Sequence, residues 1–151
     1  MERKPKKKIV FVCTGNTCRS PMAESLLKHE LKKLKIKDFS VSSAGIAVQK
    51  GSGCNPLSRA VAEEYGCPIS EKFKAKRLTK GAMESAYLIV AMTEEIAAQI
   101  PKGNVRTIRQ LSGYDIPDPY GKGIDHYRYC MDLLRLAMPE LLKNCFLGDI
   151  L

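Results

Sequence analysis

The sequence predicts an α/β fold, a single domain of three layers (α/β/α) in which a parallel β-sheet lies between helices. Two observations predict it. Short apolar segments rich in β-branched residues alternate along the chain with longer segments of helical periodicity. The strands are apolar nearly throughout, as in residues 8–13 and 87–91, which is typical of parallel strands covered on both faces. A length of 151 residues fits one such domain.

The first strand and the first helix are predicted within residues 8–35. Residues 8–13 form a buried strand that stops at a polar loop. Ser20 and Pro21 are predicted as the N-cap and the first residue of the helix that follows. The apolar positions on its inward face are Ala23, Leu27, Leu31 and Leu34. The lysines on its outward face are Lys28, Lys32 and Lys35.

The remaining elements continue the alternation. Further strands are predicted at residues 39–44, 87–91 and 105–108. Helices are predicted at residues 55–66, after Thr79, at residues 93–101 and at residues 125–146, the last with a kink or break at Pro139. A loop rich in glycine, proline and aspartate occupies residues 112–123.

The net charge of +9 owes much to the first residues of the chain. We expect residues 1–7 to form a basic extension and residues 8–151 to form the domain. Positive charge favours anionic partners, either nucleic acid or phosphorylated substrates. Because no nucleic-acid-binding motif is present, we expect no nucleic acid partner. The alternative predicts that deletion of residues 1–7 abolishes nucleic acid binding.

The six cysteines do not have the spacing of a metal site. None forms a C-x-x-C pair and the chain has two histidines, so we expect no metal and no cofactor. The apolar run after the basic start is too short for a signal peptide, and no segment has the length of a membrane span. We therefore expect a cytoplasmic monomer with free thiols and no membrane partner.

A polar loop joins the first strand to the first helix, and we call its residues 13–20 the anion cradle. Small residues, including Gly15, let the backbone N–H groups converge there, and the helix dipole adds positive potential. Cys13 opens the loop, where this potential favours a thiolate. Arg19 lies near its end and can bind two phosphate oxygens at once. The loop lacks the Gly-Lys-Ser/Thr ending of a nucleotide-binding P-loop.

This pattern resembles the low-molecular-weight protein-tyrosine-phosphatase family, and most closely its bacterial protein-arginine-phosphatase branch. The segments that carry the resemblance are residues 12–24, 43–45 and 118–120. The resemblance implies a four-stranded sheet in the flavodoxin-like order 2-1-3-4, and an enzyme that dephosphorylates protein substrates through a phosphocysteine. It implies that Asn16 holds the loop conformation and that Ser20 hydrogen-bonds the thiolate. The phosphate-binding loop implied is Thr14, Gly15, Asn16, Thr17, Cys18 and Ser20.

Dephosphorylation also needs an acid to protonate the leaving group. The candidates near the predicted loop are Asp115, Asp118 and Asp125. Proline follows Asp118 and restricts its backbone, and Asp118 also lies in a segment of the family resemblance. We therefore expect Asp118 to be the catalytic acid, together with Cys13 as nucleophile and Arg19 as phosphate clamp.

The substrate side chain is predicted from two residues. Thr17 occupies a position where tyrosine-directed family members usually carry a bulkier aliphatic residue, and threonine there resembles the arginine phosphatases. Tyr120 is the one obvious aromatic residue expected beside the phosphoryl site, and the chain has no tryptophan. The site therefore offers few aromatic side chains on which a phenyl ring could stack. Phosphoarginine is the predicted substrate, with phosphotyrosine as the alternative.

Cys18 has two interpretations, a small buried residue or a redox partner that protects Cys13 by forming a disulfide. Related phosphatases carry a cysteine there, which favours the redox interpretation. The other four cysteines, Cys54, Cys67, Cys130 and Cys145, are interpreted as structural. Two other functions stay open: a thiol arsenate reductase, although residues 87–100 contain no resolving cysteines, and a phosphate-binding module without catalysis.

Overall fold

Four parallel strands form the centre of the molecule. The computed structural model describes residues 6–147, and their side chains as far as residue 145; most of the expected basic extension, residues 1–5, lies outside this range. The strands are β1 (Lys7–Cys13), β2 (Phe39–Gly45), β3 (Leu88–Ala91) and β4 (Val105–Thr107). Their spatial order is β2-β1-β3-β4, which confirms the predicted sheet.

The two central strands are buried because helices cover the sheet. The residues from Ile9 to Cys13 and all of β3 are buried. Parallel pairing aligns Phe11 with Ser43 of β2 and with Val90 of β3. The carboxyl ends of β1 and β2 therefore finish side by side, at Cys13 and Gly45. Ligands of open parallel sheets bind at this edge.

Six helices accompany the sheet within the described residues. They are α1 (Arg19–Lys33), α2 (Pro56–Glu64), α3 (Lys80–Ser85), α4 (Glu94–Ala98), α5 (Ile108–Ser112) and α6 (Ile124–Leu147). Helix α1 packs on β1 and β2, and it also contacts α2 and α6. The cradle thus lies where β1 meets the N-terminus of a helix that is held on several sides.

The start and end of α1 differ from the prediction. The helix begins at Arg19 with Cys18 as N-cap, so Ser20 is inside the helix. The Ser20 hydroxyl contacts Cys13 in the cradle and does not cap the helix. The helix ends at Lys33, because Lys35 adopts a positive φ of 59° that turns the chain. Leu34 was predicted to face inward, and this was wrong: it is the C-cap and is 51% exposed.

Helix caps explain most of the other boundaries. Asn55 caps α2 by accepting a hydrogen bond from the Leu57 N–H, and Thr79 and Thr93 cap α3 and α4 as predicted. The predicted fourth strand is one residue too long, because Thr107 starts a capping box with Gln110 and opens the unpredicted α5.

The last two predicted helices differ from expectation, the first at its end and the second at its proline. Helix α4 was expected to reach Pro101 but ends at Ala98, and Gln99 is its C-cap. Helix α6 was expected to kink or break at Pro139; it does not break there, because the helix runs through this residue to Leu147. The long helix can tolerate the proline because its other residues keep it packed against α1, α2 and α5.

Candidate active site

The anion cradle opens into a cleft at the carboxyl edge of the sheet. The cleft has a volume of about 530 Å³. Its lining combines the cradle, the segment after β2 and the loop before α6: Cys13, Thr14, Gly15, Thr17, Cys18, Arg19, Ala47, Gln49, Ser52, Gly53, Cys54, Asn55, Pro56, Asp118 and Tyr120. The predicted nucleophile, clamp and acid therefore line one cleft, although they are far apart in the sequence.

Main-chain hydrogen bonds tie the cradle to the segment that follows β2. The N–H groups of Ile46 and Ala47 donate to the carbonyl oxygens of Cys13 and Thr14, at 3.1 and 2.9 Å. Only glycine fits at position 45, because a Cβ there would lie 2.7 Å from the Thr14 carbonyl oxygen. The match at Ser43-Ala44-Gly45 therefore has a physical basis: Gly45 lets the two loops approach closely.

The Cys13 thiol is nearly enclosed at the floor of the cleft. Its side chain lies at the end of β1, and the residue is 2% exposed. The Cys13 Sγ and the Ser20 Oγ are 2.9 Å apart, so the serine hydroxyl can donate to a thiolate. Ser20 is placed there by the first turn of α1, whose N-terminal dipole also favours negative charge. The geometry suits a cysteine that reacts as its anion.

Asn16 fixes the conformation of the cradle. It is fully buried and adopts a positive φ of 55°, a conformation that asparagine tolerates better than most residues. Its Oδ1 accepts a hydrogen bond from the Lys76 N–H at 2.9 Å. Its Nδ2 donates to the Ser20 Oγ at 2.8 Å and to the Ser43 Oγ at 3.0 Å. These contacts join the cradle to β2 and to residue 76.

Arg19 links the cradle to the loop at residues 112–123, which we call the acid loop. The guanidinium is buried, and its Nη1 donates to the Ile116 carbonyl oxygen at 2.9 Å. Its Nη2 lies 4.0 Å from the Asp118 Oδ2. The predicted clamp and the predicted acid are therefore neighbours, and guanidinium donors not used by Ile116 can serve an anion in the cleft.

Asp118 is the one carboxylate of the three candidates that lines the cleft. Its side chain is 60% exposed, and its Oδ1 accepts a hydrogen bond from the Tyr120 N–H at 3.1 Å. Asp115 instead lies 3.7 Å from Arg109, and Asp125 lies 2.9 Å from Arg128 at the start of α6. The geometry therefore favours Asp118 among the three predicted candidates.

The walls of the cleft have different chemistry. Tyr120 provides an aromatic wall and is 70% exposed. The segment after β2 provides a wall without aromatic side chains, in which Gln49, Ser52 and Cys54 take part. Sequence reasoning missed this wall and interpreted Cys54 as structural. The signal that could have found it is position alone, since the segment follows β2 at the edge where sites form.

Buried groups behind the cradle support the acid loop. The Cys18 Sγ is 3.6 Å from the hydroxyl of Tyr127. Burial is the main cause that raises the pKa of Tyr127, and the contact with Cys18 raises it further. The Cys130 thiol donates to the Pro117 carbonyl oxygen at 3.1 Å, and burial raises the pKa of this thiol to about 12. Both groups stay protonated at neutral pH and anchor the site to α6. No sequence motif pointed to Tyr127.

Within residues 6–147, no group of three or more His, Cys, Asp or Glu side chains is arranged to hold a metal ion. In the same range, no helix has the length and apolarity needed to cross a membrane.

Sequence comparisons agree with the geometry. A family model described as low molecular weight phosphotyrosine protein phosphatase matches residues 8–146. A protein-arginine-phosphatase of Bacillus subtilis (strain 168) is 36% identical over 145 residues, which cover 90% of this chain and 95% of that protein. The low molecular weight protein-tyrosine-phosphatase PtpB of Staphylococcus haemolyticus (strain JCSC1435) is 37% identical over 147 residues, 91% of this chain and 99% of that protein.

Solved structures extend the agreement to the fold. A low molecular weight protein tyrosine phosphatase from T. tengcongensis has a TM-score of 0.82 and 32% identity, covering 92% of this chain and 99% of that one. A mutant of the arginine phosphatase YwlE with a phosphorylated active-site serine has a TM-score of 0.80 and 33% identity, covering 91% and 94%. This chain therefore belongs to the low molecular weight phosphotyrosine protein phosphatase family and is a cysteine-dependent phosphoprotein phosphatase.

Proposed function

We propose that the protein hydrolyses phosphoarginine in protein substrates, with Cys13 as nucleophile, Arg19 as phosphate clamp and Asp118 as acid and base. The observation that carries the mechanism is the cleft itself, which brings the three side chains together around the N-terminus of α1. The observation that carries the substrate is the lining of the cleft, in which Tyr120 is the one aromatic side chain and Gln49 and Ser52 offer polar groups.

In the first step, the Cys13 thiolate attacks phosphorus in line with the leaving group and forms an S–P bond. The N–H groups of the cradle and the Arg19 guanidinium bind the equatorial oxygens, where charge is concentrated in a loose transition state. Asp118 gives its proton to the leaving nitrogen of the guanidino group as the P–N bond breaks. Ser20 donates to the sulfur and holds it in its reactive anionic form.

In the second step, water hydrolyses the phosphocysteine. Asp118, now a carboxylate, accepts a proton from the water, whose oxygen attacks phosphorus while the S–P bond breaks. Cys13 leaves as a thiolate and inorganic phosphate is released. The phosphorylated active-site serine of the YwlE mutant supports a phosphoenzyme intermediate at the corresponding position.

Three observations favour phosphoarginine. Thr17 lines the cleft with a small hydroxyl side chain, which leaves room beside the phosphoryl site. Gln49 and Ser52 offer hydrogen-bonding groups to a polar guanidino substrate. The Bacillus subtilis relative, covered over 95% of its length, is named a protein-arginine-phosphatase. Phosphotyrosine is the second candidate, because Tyr120 can stack on one face of a phenyl ring and PtpB is named for tyrosine.

The test compares kcat/KM for phosphoarginine and phosphotyrosine in the same peptide. We expect the wild-type chain to prefer phosphoarginine, and Thr17→Ile to shift the ratio by about tenfold or more because the added bulk narrows the cleft. Thr17→Val separates bulk from hydrogen bonding, since it removes the hydroxyl and keeps the shape. Preference for phosphotyrosine in the wild-type chain would overturn the substrate assignment.

We also propose that Cys18 protects Cys13 under oxidation. Peroxide would convert the Cys13 thiolate to a sulfenic acid, which the Cys18 thiol would attack with loss of water to give a disulfide. Both side chains line the cleft and both are free thiols. Mass spectrometry after peroxide treatment should find the linked peptides, and Cys18→Ala should lose activity irreversibly. Full recovery of Cys18→Ala on reduction would contradict the role.

The expectations of a cytoplasmic location and a monomer complete the proposal. The nucleophile must be a free thiol, and all six cysteines are unpaired, which suits a reducing compartment. Light scattering at assay concentration tests the monomer, and fractionation of the source cells tests the location.

A further inference from the structure

Glu24, on the second turn of α1, is connected to the nucleophile by a continuous chain of hydrogen bonds. Its Oε1 accepts from the Ser43 Oγ at 2.6 Å. The Ser43 Oγ accepts from the Asn16 Nδ2 at 3.0 Å, and the same nitrogen donates to the Ser20 Oγ at 2.8 Å. The Ser20 Oγ lies 2.9 Å from the Cys13 Sγ. We call these five side chains the relay.

The direction of every bond in the relay is determined by counting protons. The Asn16 Oδ1 accepts from the Lys76 N–H, which fixes the orientation of the amide. Both hydrogens of Nδ2 are then used, one for Ser20 and one for Ser43. Each serine has a single proton. Ser43 gives its proton to Glu24, and Ser20, whose oxygen already accepts from Asn16, has its proton left for Cys13.

We infer that Glu24 is a positioning residue: it accepts the Ser43 proton and so holds the Ser43 oxygen as an acceptor for Asn16, which supports the polarity in which Ser20 donates to Cys13 and the thiolate is the favoured form. A carboxylate can only accept, so it holds the Ser43 proton away from Asn16 and keeps the Ser43 oxygen available to the amide. Linked hydrogen bonds of one polarity strengthen each other. Without Glu24, Ser43 can rotate its proton, and the alignment at Asn16 and Ser20 weakens.

The negative charge of Glu24 does not oppose this role strongly. Lys28 lies one helical turn away, and its Nζ is 2.6 Å from the Glu24 Oε2, so the carboxylate is neutralised on its outer side. Three intervening side chains separate Glu24 from Cys13 along the relay. Direct repulsion between the two anions is therefore weakened by the lysine and by the length of the relay.

The test measures the pH dependence of inactivation by iodoacetamide, counting only inactivation that phosphate prevents. Glu24→Met removes the acceptor with little change in size. We expect the midpoint of its profile to move to higher pH by about one unit, and the rate above the midpoint to return to that of the wild type. Glu24→Gln keeps an acceptor oxygen and should move the midpoint less. Glu84→Gln, at an exposed pair with Lys102, is the matched control and should leave it unchanged.

The pH profile of inactivation distinguishes a change in the hydrogen-bond polarity of the relay from a general disruption of the site. An unchanged midpoint in a folded Glu24→Met would overturn the inference, and so would a rate lowered by one factor at all pH values. If Glu24→Met does not fold, Ser43→Ala removes the same link, and an unchanged midpoint there would be equally decisive. The inference rests on Cys13 as nucleophile but not on the substrate. A wild-type chain that resists alkylation would instead contradict the proposed mechanism.

Discussion

The anion cradle and the acid loop share one cleft but are held in different ways. Cys13, Asn16 and Ser20 are buried, and their side chains bond to one another and to neighbouring strands. Asp118 and Tyr120 are largely exposed, and Asp118 is held by one hydrogen bond and a distant guanidinium. The difference separates two tasks. The groups proposed to contact the phosphoryl group are buried and hydrogen-bonded to one another, whereas those proposed to contact the leaving group are on the surface.

Breaking the cradle at its nucleophile should have the largest effect. We expect Cys13→Ser to lose about 10⁴-fold or more in kcat, because a serine hydroxyl lacks the thiolate's nucleophilicity. The fold should be retained, since the two side chains have nearly the same shape. Stopped assays measure the turnover, and calorimetry should still detect phosphate binding. Substantial residual turnover would contradict the mechanism.

Changing the acid loop should have a smaller effect that depends on the substrate. We expect Asp118→Asn to lower kcat/KM by about 10²- to 10³-fold for substrates with poor leaving groups, and by less for p-nitrophenyl phosphate, whose leaving group needs no proton. Asp115→Asn and Asp125→Asn are controls on the two rejected candidates. An equal loss in either control would remove the assignment to Asp118.

The stability of the two regions should differ as their burial does. Asn16→Ala removes three hydrogen bonds, to the Lys76 N–H, the Ser20 hydroxyl and the Ser43 hydroxyl, and places alanine at a positive φ, so we expect a loss of about 2–3 kcal/mol in unfolding free energy. Tyr120→Ala should change it by less than about 0.5 kcal/mol, because the side chain is exposed. Urea denaturation measures the unfolding free energy of both variants. Equal losses would contradict the difference between the anion cradle and the acid loop.

The sequence predicted what depends on local chemistry and the family signature. The strand before Cys13 follows from an apolar run, and Asn55, Thr79 and Thr93 were recognisable caps. The start of α1 was missed because Ser20 has the composition of a cap but is used by Cys13. The cleft wall at Gln49 and Cys54, and Tyr127 behind the cradle, were missed because their roles arise only when distant segments meet.

The bond from Arg19 to the Ile116 carbonyl has a consequence for how this cleft can be altered. One side chain is both the proposed phosphate clamp and the group that fastens the segment that carries Asp118. A lysine at position 19 would have no second branch with which to hold the carbonyl while binding phosphate. Redesign of this cleft for a new leaving group therefore has freedom at Tyr120 and along the wall after β2, and almost none at position 19.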